Sequence, residues 1–192
     1  MKHVKKFEKF ESIITDLDLS DKDLEVLPEL PSTLISFFCY TNKLATIVGL
    51  PNGLINLSFF NNRLTRLPEL PLSLAYLNCN SNRLEDLSGL TEGLKYIYCS
   101  DNKLSELPNL PDGLIELNCS ENNISKLPDL PDTLELLECS YNDLSELPLH
   151  LPKSLRYLVC DHNNLPYDGL DGYNQWLEVN HPEIINSRKF NI

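Results

Sequence analysis

Six cysteines, Cys39, Cys79, Cys99, Cys119, Cys139 and Cys160, are the residues of this 192-residue chain from which thiolate, metal or disulfide chemistry would first be sought. Their spacing argues against all three. Consecutive members lie 20, 21 or 40 residues apart, without the close C-x-x-C pairs that mark a zinc site. All six occupy one repeat position, and Leu19 and Phe59 fill it in the remaining repeats. A position that accepts Leu, Phe and Cys alike is an apolar interior site, where a free thiol acts as a small hydrophobe. Adjacent cysteines would come within disulfide Cα range, but in-register parallel side chains point alike and leave their Cβ atoms too far apart. A column of buried free thiols is the expectation. The four histidines, His3, His150, His162 and His181, are scattered. Cys160 and His162 form the one conceivable Cys-His pair, but Cys160 falls on the inward column and His162 just outside it. No phosphate-binding loop, dinucleotide fingerprint or G-x-S-x-G is present. The sequence therefore reads as non-catalytic, with no cofactor and no metal.

What positions these cysteines is a repeat. The stretch Leu107-Pro-Asn-Leu110-Pro-Asp-Gly-Leu114-Ile-Glu-Leu117-Asn-Cys119-Ser-Glu-Asn122-Asn-Ile124 returns twenty residues later at Leu127, Leu130, Leu134, Leu137, Cys139, Asn142 and Leu144. It also stands upstream at Leu67, Leu70, Leu74, Leu77, Cys79, Asn82 and Leu84. Regular copies begin at Leu34, Leu54, Leu74, Leu94, Leu114, Leu134 and Leu155, the last lengthened by one residue near His150-Leu151-Pro152. A degenerate first copy runs Ile14, Leu17, Leu19 and Leu24, with Lys22 where later copies carry Asn. A fixed period over most of the chain means a solenoid.

The spacing dictates the coil. In L-x-x-L-x-C the last two apolar residues are two apart, so an extended strand turns both inward and the x residues outward. Stacked copies set such strands side by side and parallel at about 4.8 Å. The Asn that follows closes the strand, its amide satisfying backbone groups that turn inward. The return segment, with paired prolines such as Pro128 and Pro131, should be extended or polyproline-like, because proline fixes φ and lacks an N–H. Thin return segments against paired strands curve the array, shallowly where no helices back it.

These residues carry a resemblance. L-x-x-L-x-C/L-x-x-N-x-L is similar to the leucine-rich repeat, and the L-P-x-L-P lead-in resembles its short bacterial-type subclass, found in YopM-like secreted effectors and in the repeat domains of IpaH-type ubiquitin ligases. Cysteine-bearing repeats of this kind also occur in giant-virus proteins. The resemblance covers Ile14 to Leu165 and implies an asparagine ladder. The expected fold class is a mainly β repeat solenoid: a right-handed leucine-rich repeat coil with a concave parallel β-sheet, an extended, polyproline-like convex side and short helical caps. Cys99-Ser-Asp101 matches the ligase family's catalytic C-x-D by letters only. It sits inside a repeat, so that activity is not carried over.

Stacking makes the outward strand positions informative. Phe38, Tyr40, Phe60, Tyr76, Tyr96 and Tyr98 fall on the second to fifth copies, and Glu116, Asn118, Glu138, Tyr157 and Asp161 on the sixth to eighth. One end of the concave face is expected to be aromatic and the other acidic. Either the aromatics pair across strands to cover the sheet, or they anchor a protein partner, with the acidic end facing a basic patch on it. Homodimerisation, edge to edge or through the concave face, is the alternative within the same class.

The single domain spans 1–192. Residues 1–13, with Val4, Phe7, Phe10 and Ile13 between Lys and Glu, read as an amphipathic helix capping the first of eight repeats over 14–165. Its lysines could instead contact an anion or a membrane. Residues 166–192 form the C-terminal cap: a short helix ending before Pro182, with Trp176, Leu177 and Val179 turned onto the last coil. A net charge of −12 disfavours nucleic acid and anionic membrane as partners. No secretory h-region or membrane-length apolar run is present. The expected location is cytoplasmic, or a host cell reached without a cleavable hydrophobic signal.

Overall fold

The structure is a computed structural model that describes residues 14–182 and Ile184. The expected N-terminal helical cap and the tail from Ser187 lie outside the described residues. Among the described residues, eight three-residue strands follow one another in chain order: β1 (Asp16–Asp18), β2 (Ser36–Phe38), β3 (Asn56–Ser58), β4 (Tyr76–Asn78), β5 (Tyr96–Tyr98), β6 (Glu116–Asn118), β7 (Leu136–Glu138) and β8 (Tyr157–Val159). All pair in parallel with their immediate neighbours. The register steps by one repeat, so that Ile97 at the centre of β5 stands opposite Leu77 on one side and Leu117 on the other. The extra residue near His150 is absorbed before β8, where Leu137 faces Leu158.

The core is a set of columns running down the coil. The central strand residues Phe37, Leu57, Leu77, Ile97, Leu117 and Leu137 are fully buried. So are Leu34, Leu54, Leu74, Leu94, Leu114 and Leu134 on the way into each strand, and Leu44, Leu64, Leu84, Leu104, Ile124 and Leu144 on the way out. The six cysteines and Phe59 line the remaining inner column, and all six thiols are free and buried. Each coil borrows its core from its neighbours, which is how a twenty-residue unit too small to fold alone is stabilised.

Past each strand the chain turns through a left-handed residue. Thr41, Asn61, Ser81, Asp101, Glu121, Tyr141 and His162 all have φ between 51° and 55°, a region that costs little for Asn or Asp and more for a β-branched or bulky side chain. The asparagine comes next and ties two coils together. Asn122 shows the pattern: its Oδ1 accepts the Leu104 N–H at 3.0 Å, and its Nδ2 donates to the carbonyls of Cys99 and Cys119 at 3.0 and 3.1 Å. Asn42, Asn62, Asn82, Asn102, Asn142 and Asn163 repeat these bonds to the preceding coil.

The return side carries extended backbone with no helix among the described residues before α1 (Gly169–Asn180). It re-enters the strand through a tight turn in which the second proline supplies the acceptor, as in Leu114 N–H to the Pro111 carbonyl at 3.1 Å and Leu134 N–H to the Pro131 carbonyl at 3.0 Å. Ser73, Thr133 and Ser154 in these turns donate to carbonyls of the preceding coil. The fifth copy departs from the pattern, with Thr91 at the proline position, and the Thr91 hydroxyl is buried without a partner.

Helix α1 closes the far end against β8. Tyr173 and Leu177 are fully buried, and Trp176 packs beside them. The expectation that Val179 also turns inward fails: it is 80% exposed. Two residues beyond Leu177, it is carried about 200° round the helix axis, away from the coil. Tyr173, with its hydroxyl donating to the Pro148 carbonyl at 2.9 Å, is the inward aromatic in its place. Tyr167 completes this end cap, its ring 5.4 Å from Tyr173 and 5.3 Å from Trp176.

Candidate functional site

The outer face of the sheet is where the alternation of the strands sends the residues that the core does not use. Phe38, Tyr40, Phe60, Tyr76, Tyr96, Tyr98, Glu116, Asn118, Glu138 and Asp161 are half-buried there, and Tyr157 is exposed at 65%. No second layer of described residues packs over this face.

Two aromatic groups of different geometry stand on it. Tyr40 and Phe60 stack nearly parallel at 4.6 Å and 13°. Tyr76, Tyr96 and Tyr98 instead meet at tilts, with centroids 6.4 Å apart for Tyr76–Tyr96 and 5.5 Å for Tyr76–Tyr98. The Tyr98 hydroxyl donates to Glu116 Oε2 at 2.5 Å. Burial, then that carboxylate, pushes the Tyr98 phenol well above its usual range, so it remains a donor.

The acidic end is more ordered than its composition suggests. Asn118 Nδ2 donates to Glu138 Oε2 at 2.5 Å, and Ser140 Oγ donates to Asp161 Oδ1 at 2.6 Å. The other Asp161 oxygen lies 2.6 Å from His162 Nδ1. The Ser140 hydrogen bond, followed by that of His162, holds the Asp161 carboxyl below its ordinary value.

Sequence reasoning missed several members of this face. Tyr141 and His162 stack at 4.0 Å and 11°, adding an aromatic pair beside the acidic residues. Once the 21-residue step of the last repeat is allowed for, the two fall in one column, which is the signal that would have found them. At the opposite end, Asp16 and Asp18 on β1 are exposed, so acidic residues flank the aromatic rows on both sides.

Burial holds the interior thiols in their neutral S–H form at neutral pH. Burial pushes Cys79 up to about 12, and Cys99 and Cys119 well above the ordinary thiol value. Cys160 is inside, its Sγ accepting the Gly169 N–H at 3.3 Å, while His162 is engaged outside with Asp161 and Tyr141. The two do not pair. Among the described residues, no group of three or more His, Cys, Asp or Glu side chains is arranged to hold a metal ion, and no helix is long and apolar enough to cross a membrane.

No protein-family model matches the chain, and no curated protein does. Solved structures do. YopM from Yersinia enterocolitica WA-314 is 33% identical with a TM-score of 0.60, over 79% of this chain and 43% of its own. A Shigella effector leucine-rich repeat domain is 30% identical with a TM-score of 0.55, over 79% of this chain and 70% of its own. The functional domain of InlJ from Listeria monocytogenes, which includes a cysteine ladder, is 28% identical with a TM-score of 0.61, over 79% of this chain and 40% of its own. The chain thus spans less than half the length of the YopM and InlJ structures. With the twenty-residue register, the asparagine column and these matches together, the chain belongs to the leucine-rich repeat proteins, with repeats of the short bacterial type.

Proposed function

We propose that the chain is a non-catalytic scaffold that binds a protein partner through the outer, concave face of its sheet. The observation that carries this reading is the uncovered pair of aromatic groups, Tyr40 with Phe60 and Tyr76 with Tyr96 and Tyr98. Tyrosine has a large apolar ring, a polar tip and little rotamer entropy to lose, which makes it an efficient interface anchor. Glu116, Glu138 and Asp161 extend the face with negative charge and draw in a partner bearing Lys or Arg.

The test is affinity capture with the native protein and with the double variant Tyr96→Ala, Tyr98→Ala, read by mass spectrometry and by light scattering at two concentrations. Loss of a specific captured protein in the variant supports docking. Unchanged capture and unchanged self-association remove the aromatic face from the reading. Concentration-dependent mass that the variant abolishes assigns the face to a homodimer. The likeness to YopM and to a Shigella effector domain favours a second reading, in which the scaffold is exported and acts in a host cell or recognises substrates for a ubiquitin-ligase-like system. A secretion assay separates it from a resident cytoplasmic role.

A further inference from the structure

We infer that Tyr76, Tyr96, Tyr98 and Glu116 form a seat for one arginine side chain of the protein partner, an assignment that rests on the sheet face being a docking surface. The register sets Tyr76, Tyr96 and Glu116 side by side on β4, β5 and β6. Tyr98, two residues along the same strand as Tyr96, shares its face, and its hydroxyl reaches across to Glu116 at 2.5 Å. Three rings and one carboxylate therefore converge on one spot.

The tilts decide what the rings can do. Tyr40 and Phe60, stacked at 13°, use one face of each ring on the other. Tyr76 meets Tyr96 at 41° and Tyr98 at 44°, so it lies flat on neither, and all three rings stand half-buried on the outer face of the sheet, where a cation can approach them. Glu116 supplies the charge. Tyr98 occupies only its Oε2, leaving Oε1 to accept, and among the described residues no basic side chain lies within ion-pair distance of it. A planar guanidinium stacks on a ring while its N–H groups reach a carboxylate, which a compact, strongly hydrated ammonium does not do. The chain's net charge of −12 favours such a cationic visitor from a distance.

The probe is N-acetyl-arginine amide, titrated into the whole protein carrying ring-labelled tyrosine and read by NMR, with N-acetyl-lysine amide and the neutral isostere N-acetyl-citrulline amide in parallel. The arginine amide should shift the Tyr76, Tyr96 and Tyr98 rings and leave Tyr40 in place. Glu116→Gln should weaken the titration about tenfold, while Asn52→Ala, on the exposed return turn, should not change it. Equal shifts with the citrulline amide, or an unchanged titration of Glu116→Gln, overturn the seat. A lysine amide that binds as tightly as the arginine amide overturns the assignment to a guanidinium. If partner capture depends on Tyr96 and Tyr98 but the arginine amide shifts nothing, the seat falls while the docking reading stands. Thermal midpoints of the variants matching the parent confirm that each remains folded.

Discussion

The side-chain amide of Asn122 donates to the carbonyl of Cys99, twenty-three residues earlier and one coil back, at 3.0 Å. That bond and its Oδ1 partner, the Leu104 N–H, both lie in the interior. Asn122→Ala leaves the buried Leu104 N–H without a partner, at about 1–3 kcal/mol, and strips one of the two amide donors from each of the Cys99 and Cys119 carbonyls, which keep Asn102 and Asn142. The variant should lose about 3 kcal/mol in a urea titration, whereas Asn52→Ala, on the exposed return turn, should change the midpoint little.

Leu117 is fully buried between coils on both sides, and Leu17 on β1 is only partly buried. Leu117→Ala should cost about 2–5 kcal/mol through lost transfer energy and a cavity. Leu17→Ala should cost less. Equal urea midpoints for the two would contradict a core shared between neighbouring coils.

Thr91→Pro should stabilise the protein by about 1 kcal/mol. It restores the residue of most other copies, removes the orphaned hydroxyl and stiffens the unfolded chain. The turn keeps its hydrogen bond, because Leu94 N–H needs only the residue 91 carbonyl, at 3.2 Å. Differential scanning calorimetry reads the shift in Tm.

Two glycines on equivalent turns should respond oppositely to alanine. A Cβ on Gly93 would stand 2.8 Å from the Leu72 carbonyl oxygen and 3.0 Å from that of Leu74, both backbone atoms, while one on Gly113 meets nothing within 4 Å. Gly93→Ala should cost about 1–3 kcal/mol. Gly113→Ala should gain about 0.4–1 kcal/mol from the unfolded chain. Parallel thermal melts decide the matter.

Alkaline pH should unfold the coil. The thiols are raised by burial, Cys79 from 9.0 to about 12, so the unfolded chain releases protons first as pH rises. Stability is then unaffected below about pH 8 and falls between about pH 9 and 12, by about 1.4 kcal/mol per pH unit for each thiol in that window. Urea midpoints at about pH 8, 9 and 10 should drop progressively. A flat profile would mean that the thiols are already accessible in the folded protein.

Much of the fold was legible because the period is enforced by the backbone ladder itself. Leu117, Cys119 and Asn122 each do one job per coil, and a residue that does one job per turn recurs visibly in the sequence. The orientation of the outer face was equally plain, since alternation within a strand fixes whether Tyr96 or Ile97 points out. What escaped was every relationship between outward side chains of different coils. Nothing in the letters distinguishes the parallel stack of Tyr40 on Phe60 from the tilted meeting of Tyr76 and Tyr98, because rotamers decide it. The Asp161–Ser140 bond and the Tyr141–His162 stack were hidden by the one-residue lengthening before β8, which shifts the columns. Val179 was misplaced because a helix of about 3.6 residues per turn does not keep the two-residue rhythm of the strands before it.

The asparagine bonds that join coils all run in one sense, each reaching from its own coil to the one made before it. On the ribosome this gives assembly a direction: a newly emerged turn remains loosely held until the following one delivers its amide. A chain halted partway would always present one unfastened turn at its growing end, and only with Tyr167 and Tyr173 in place is the last of them secured. Premature termination within the repeats should therefore leave a frayed, sticky edge whatever the point of arrest, which makes the closing aromatic segment the part on which the whole stack waits.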